Sequence, residues 1–102
     1  MTFIKDLSER ISEEIADAEY YAKHALSAKD EYPTAAQTFY TIAGQELNHA
    51  SMLHDLATRA IADYRAKHGE PPAAMEAVYK YLHEQQIEHT EAVKRYLDMY
   101  KA

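Results

Sequence analysis

Glu46 and His49 stand three residues apart, a spacing suited to holding a metal ion. On an α-helix, side chains three apart project next to each other from one face and can reach the same cation. The bare Glu-x-x-His motif is short and arises readily by chance. Its context adds weight, because Phe39, Ile42, Ala43, Ala50 and Leu53 form an apolar stripe at helical spacing and both residues fall inside it. A buried, ionised carboxylate is costly unless it is neutralised, hydrogen-bonded or coordinated. The spacing alone leaves two readings open, a metal-ligating pair and a hydrogen-bonded core pair.

A second carboxylate breaks an apolar series earlier in the chain. Glu14 falls in the run 4, 7, 11, 14, 18, 21, 25, whose other members are Ile, Leu, Ala or Tyr. Glu13 keeps company with Asp6, Glu9, Arg10 and Asp17 and reads as part of a solvated face. Glu19, flanked by Ile15, Ala22 and Leu26, is intermediate. If the first hairpin turns near residue 30, antiparallel packing sets Glu14 level with Glu46 and leaves Glu19 about one turn away. Glu14 is therefore the expected helix-1 ligand. Farther along, a stripe passes through Gln85, Gln86 and His89, beside a charged edge of Glu84, Glu88 and Glu91. There, Glu84 and Glu88 suit a solvated edge paired with Lys80 or Arg95, and His89 suits either a core imidazole bonded to a carboxylate or a ligand.

The elements that must position these residues are marked by proline and glycine. Lys29-Asp30-Glu31-Tyr32-Pro33 suits one helix end and the next helix start, and His68-Gly69-Glu70-Pro71-Pro72 makes a sharper break. The punctuation predicts helices over 4–28, 34–67 and 73–101. Their apolar stripes include Ile4, Leu7, Ile11 and Ile15 on the first, Leu56, Ala60, Ile61 and Tyr64 toward the end of the second, and Met75, Val78, Leu82, Val93, Tyr96, Leu97 and Tyr100 on the third. At 1.5 Å per residue the second helix would run roughly 50 Å. Long rods with short turns predict an all-α antiparallel bundle in a single domain spanning residues 1–102.

Composition narrows the chemistry. With no cysteine, disulfides, thiolate zinc sites, iron–sulfur clusters and rubredoxin-type iron are excluded. Any metal must sit among carboxylates, imidazoles and tyrosines. A net charge of −6 and the absence of a dense Lys/Arg cluster argue against nucleic acid. No stretch approaches the ~20 apolar residues of a membrane span, and the first residues lack the apolar core of a signal peptide, so a cytoplasmic location is expected.

The residues resemble the rubrerythrin branch of the ferritin-like superfamily. Phe39-x-x-x-Ala43-x-x-Glu46-x-x-His49-Ala50-x-x-Leu53 is similar to that family's second-helix signature, and Glu14 with Tyr21 is similar to its first-helix ligand and nearby tyrosine. Glu13 with Tyr20 fits the same spacing, so the apolar stripe rather than the register favours Glu14. The resemblance covers about residues 10–56. It implies a ferritin-like bundle with a di-iron carboxylate site, in which Glu14 and Glu46 bridge or cap the ions, His49 supplies nitrogen, and Tyr21 bonds a ligating carboxylate or serves as a redox neighbour. Manganese or zinc are further candidates. Segment Glu88-His89-Thr90-Glu91 is similar to a rubrerythrin third helix, which would make Glu88, with His89, a ligand.

The chain departs from that pattern in having no fourth helix and no second Glu-x-x-His. Gln85-Gln86-Ile87-Glu88-His89 echoes Gln45-Glu46-Leu47-Asn48-His49, with Gln86 where the glutamate would stand. The short link before helix 3 cannot carry the chain back along the bundle, so helix 3 should run antiparallel to helix 2, unlike the family's third helix. A homodimer or higher homo-oligomer would repair the deficit, since two copies supply two Glu14 and two Glu46–His49 pairs. That arrangement resembles the encapsulated ferritin-like proteins, although Leu97-Asp98-Met99-Tyr100-Lys101-Ala102 shows no shell-targeting tail. The expectation is an iron-binding protein with ferroxidase or oxidase-type chemistry and an external electron donor. The competing expectation is a non-catalytic helical scaffold that has lost the metal, favoured by Gln86 and the missing helix.

Overall fold

Each of the three sequence segments forms one uninterrupted helix in the computed structural model, which describes residues 2–102. They are α1 (Thr2–Ala28), α2 (Pro33–His68) and α3 (Ala73–Lys101). Pro33 opens α2, where a missing N–H costs nothing. Gly69 ends it at φ 77°, a left-handed conformation that side chains disfavour, and its N–H donates to the Arg65 carbonyl at 2.9 Å. The observed ends lie within two residues of those predicted.

Side-chain pairs fix the directions. Tyr21 meets Phe39, and Glu14 lies level with Glu46, so α1 and α2 are antiparallel. Arg65 meets Glu76, His54 meets His83, and Tyr40 meets Tyr100, so α2 and α3 are antiparallel. α3 runs parallel to α1, with Gln86 bonded to Ser8 and Ser12 and Lys29 Nζ donating to the Ala102 carbonyl. The rod measures 55 × 18 × 18 Å.

Helix α1 is the central element. It packs along α2 and along α3, while α2 and α3 approach each other closely at few points. The buried seam of α2 is alanine at seven-residue spacing, Ala36, Ala43, Ala50 and Ala57, facing Ala18, Ala22 and Ala25 of α1. Small side chains let the two backbones approach, and Leu47 and Leu53 pack beside the seam. Leu56, expected in the stripe, is 37% exposed because it lies to one side of this seam. On α3 only Gln86 and Val93 are buried, and Val78 is exposed. Tyr96 and Leu97 pack half-buried against the core and Tyr100 stacks on Tyr40, while Met75 and Leu82 are half-buried where α2 stands off.

That separation opens a groove over α1. A cavity of about 680 Å³ is lined by residues including Ile4, Ile11, Ala57, Ile61, His54 and His83. None of Glu14, Glu46 or His49 lines it. The apolar groove between α2 and α3 and the candidate ligand set are therefore two separate surfaces. A second copy seated in the groove would not by itself complete the ligands.

Candidate metal centre

Glu14 reaches its place because α1 carries it on the stripe that faces α2. The residue is only 5% exposed, between Ile11, Ile15 and Ala18 in sequence and opposite α2. From α2, Glu46 and His49 project on the same side of the alanine seam, one turn apart. The three residues each offer a ligand atom, and these atoms lie within 4.8 Å of one another. This is the only such group of three or more acidic or histidine residues among the described residues. It could hold a metal ion.

The electrostatics show an unmet need at the centre. Glu14 Oε1 accepts from Arg10 Nη2 at 2.8 Å. Glu14 Oε2 is buried and has no hydrogen-bond donor, with His49 Nδ1 standing off at 3.6 Å. Neither carboxylate can donate to the other while both are ionised. Glu46 is pushed above the usual carboxyl range by Glu14 beside it and by burial. Glu14 is held below that range by accepting from Glu46, helped by Arg10 and His49 and opposed by its own burial. A metal ion would satisfy the stranded oxygen. Two carboxylates and one imidazole form a donor set suited to iron, manganese or zinc.

The site is open on one side. The His49 side chain is 54% exposed and Glu46 is half-buried, so solvent or a second chain has access. Tyr21 lies two turns along α1, half-buried against Phe39 with ring centroids 6.1 Å apart. It makes no hydrogen bond to Glu14, Glu46 or His49 among the described residues, so a carboxylate-bonding role for Tyr21 has no contact behind it.

The structure does not bring the helix-3 candidates to this cluster. His89 Nε2 is bonded to Glu19 Oε2, on a different side of α1. Glu88 is exposed on α3 and Glu84 and Glu91 are exposed as well. Within one chain neither His89 nor Glu88, both expected as ligands, joins the group of Glu14, Glu46 and His49. Glu13 is exposed and bound to Arg10 at 2.8 Å. Glu19 is tied to Lys23 at 2.7 Å and to His89, which hold its carboxyl below the usual range.

Two features escaped the sequence reading. Arg10 was grouped with a solvated face, yet its position four residues before Glu14 is an ion-pair spacing that could have revealed it. Ser8 and Ser12, the partners of Gln86, gave no such signal, since serines on a helix flank are unremarkable until the partner helix is placed. Comparison with models of protein families, with curated proteins and with solved structures returned no match for the chain.

Proposed function

We propose that this chain is an iron-binding helical protein whose carboxylate–histidine centre is built on Glu14, Glu46 and His49, and that its work is ferroxidase- or oxidase-type redox chemistry. The observation that carries the reading is the stranded, buried Oε2 of Glu14, set between a second carboxyl and an imidazole. A core that served packing alone would be more stable with an apolar side chain there. The resemblance of the α2 motif to rubrerythrin-type proteins points the same way and favours iron over zinc.

When bound, iron at such a centre supplies one-electron redox chemistry toward dioxygen or peroxide. The residues of the chain would do the rest. Glu46 and Glu14 would hold the cation, Glu14 through the buried oxygen that otherwise has no donor. Arg10 keeps the other Glu14 oxygen oriented from outside. His49, on the exposed side, contributes the neutral nitrogen and lies where solvent or a partner copy arrives.

One chain provides three ligand residues, too few for two ions. A homodimer about a two-fold axis across the open face would double them, and an external donor would return electrons between turnovers. Aerobic reconstitution with ferrous ion should load about one iron per chain, and Glu46→Ala should lose most of it. Sedimentation should show iron favouring the associated state. Full iron occupancy in Glu46→Ala would remove that residue from the centre. A strict monomer holding two irons would rule out the shared site.

A second reading, a helical scaffold without metal, draws on Gln86. On α3 that residue occupies the glutamate's place in the echoed motif, and its Nε2 donates to Ser8 and Ser12 of α1. A chain that binds no iron after reconstitution would leave this reading standing.

A further inference from the structure

Away from the Glu14 cluster, two imidazoles face each other across the gap between α2 and α3. His54 and His83 stack with ring centroids 4.8 Å apart and planes 13° from parallel. They flank the groove floored by Ile11 and Ala57. Among the described residues, hydrogen bonds and ion pairs between α2 and α3 include Arg65–Glu76 and Tyr100–Gln37, both toward the helix ends. At mid-length the two rings are the bridge. No hydrogen bond to a protein group engages either ring among the described residues, so their nitrogens are free to ligate.

We propose that His54 and His83 form a second cation site, taking a late divalent transition ion of the zinc, nickel or copper(II) type through one nitrogen from each ring, with water completing its shell. The spacing fits. Two imidazoles bound at about 2.0–2.1 Å, at an angle between a right angle and tetrahedral, place their ring centres about 4.5–5 Å apart. The stacked rings would each have to turn about χ2, a soft torsion for histidine, to aim one nitrogen at a common point. The cavity leaves space for the ion and its waters.

The two sites differ in chemistry. Glu14, Glu46 and His49 offer mainly oxygen and suit a harder ion, whereas an imidazole pair without a carboxylate selects from the later, nitrogen-preferring end of the series. The second ion would also do structural work. It would clamp α2 to α3 where they otherwise stand apart, closing the groove at mid-length and stabilising the bundle in proportion to its occupancy.

The test uses the full chain carrying Glu46→Ala, which disables the first cluster and makes the result independent of the iron reading. Zinc is titrated by calorimetry, and thermal unfolding is followed with and without it. About one zinc should bind per chain and raise Tm. Adding His83→Ala, or His54→Ala in a separate protein, should weaken zinc binding roughly tenfold or more, since even the loss of an outer-shell partner costs ~10–100-fold. The Tm gain should vanish with it. His24→Ala, on α1, should leave both unchanged. His83 is exposed, so its variant should keep the parent's helicity, which circular dichroism checks. Zinc binding and a Tm gain equal to the parent's in either His54→Ala or His83→Ala would overturn the proposal, as would a parent that binds no zinc.

Discussion

Helices α2 and α3 carry versions of one motif, and the central helix treats them differently. Gln45-Glu46-Leu47-Asn48-His49 and Gln85-Gln86-Ile87-Glu88-His89 both pack on α1. On α3 every demand is met. Gln86 Nε2 donates to the Ser8 carbonyl and to Ser12 Oγ, each at 3.0 Å, and His89 is bonded to Glu19. On α2 the glutamate faces another carboxyl, and an oxygen of Glu14 is left buried without a donor. A neutral amide opposite hydroxyls completes a helix interface. A carboxyl opposite a carboxyl leaves a deficit of positive charge, and that deficit, more than the three-residue spacing, makes α2 the metal-binding candidate.

The largest effect expected from this contrast is a difference of sign in the metal-free protein. Glu14→Leu removes a buried carboxylate and its stranded oxygen, while Arg10 stays solvated, so the apoprotein should gain about 1–2 kcal/mol. Gln86→Leu abandons the Ser8 and Ser12 partners at the α1–α3 interface and should lose about 1–2 kcal/mol. Urea unfolding at neutral pH reads both. Two losses of equal size would mean that Glu14 is a satisfied core residue and that the comparison fails.

The Glu19–His89 link sharpens the α3 side. Because Lys23 and His89 hold the Glu19 carboxyl below its usual range, its contribution is fully present above the unfolded carboxyl value of about 4.3. It fades as pH falls through the lower, folded value. Glu19→Gln should therefore cost about 1 kcal/mol at pH 7 and little at the acid end of that window. An equal cost at both pH values would assign Glu19 a packing role instead.

A smaller change probes the α2 scaffold itself. Gly44 sits in mid-helix, and a Cβ there would meet nothing within 4 Å. Gly44→Ala should stabilise the chain by about 0.5–1 kcal/mol through lower unfolded-state entropy, without altering metal binding. A loss of stability in thermal unfolding would show that the position is crowded in the native assembly.

Much of this architecture was legible in the sequence because helices and turns are local matters. Pro33, Gly69 and Pro71-Pro72 marked the breaks, and counting outward from residue 30 placed Glu14 level with Glu46. The directions of α2 and α3 followed from the shortness of the link. What escaped depends on distances between helices. The seven-residue recurrence of Ala36, Ala43, Ala50 and Ala57 does not by itself say that the seam is this narrow, so the stripe extends to Leu56, which the fold leaves 37% exposed. Nor does it announce that α3 rests mainly on α1, which exposes Val78 and turns His89 toward Glu19. Arg10 as the outer partner of Glu14 was legible in its spacing. Ser8 and Ser12 were not, because an acceptor on one helix has meaning only once the donor on the other is in place.

On the proposed reading, the α2 motif holds the metal and the α3 motif does not. Iron per chain, measured by elemental analysis after ferrous reconstitution of Glu46→Gln and of His89→Ala, tests it most directly. Glu46→Gln should retain little iron, while His89→Ala should match the unmodified chain. Iron lost from His89→Ala and kept by Glu46→Gln would contradict the account.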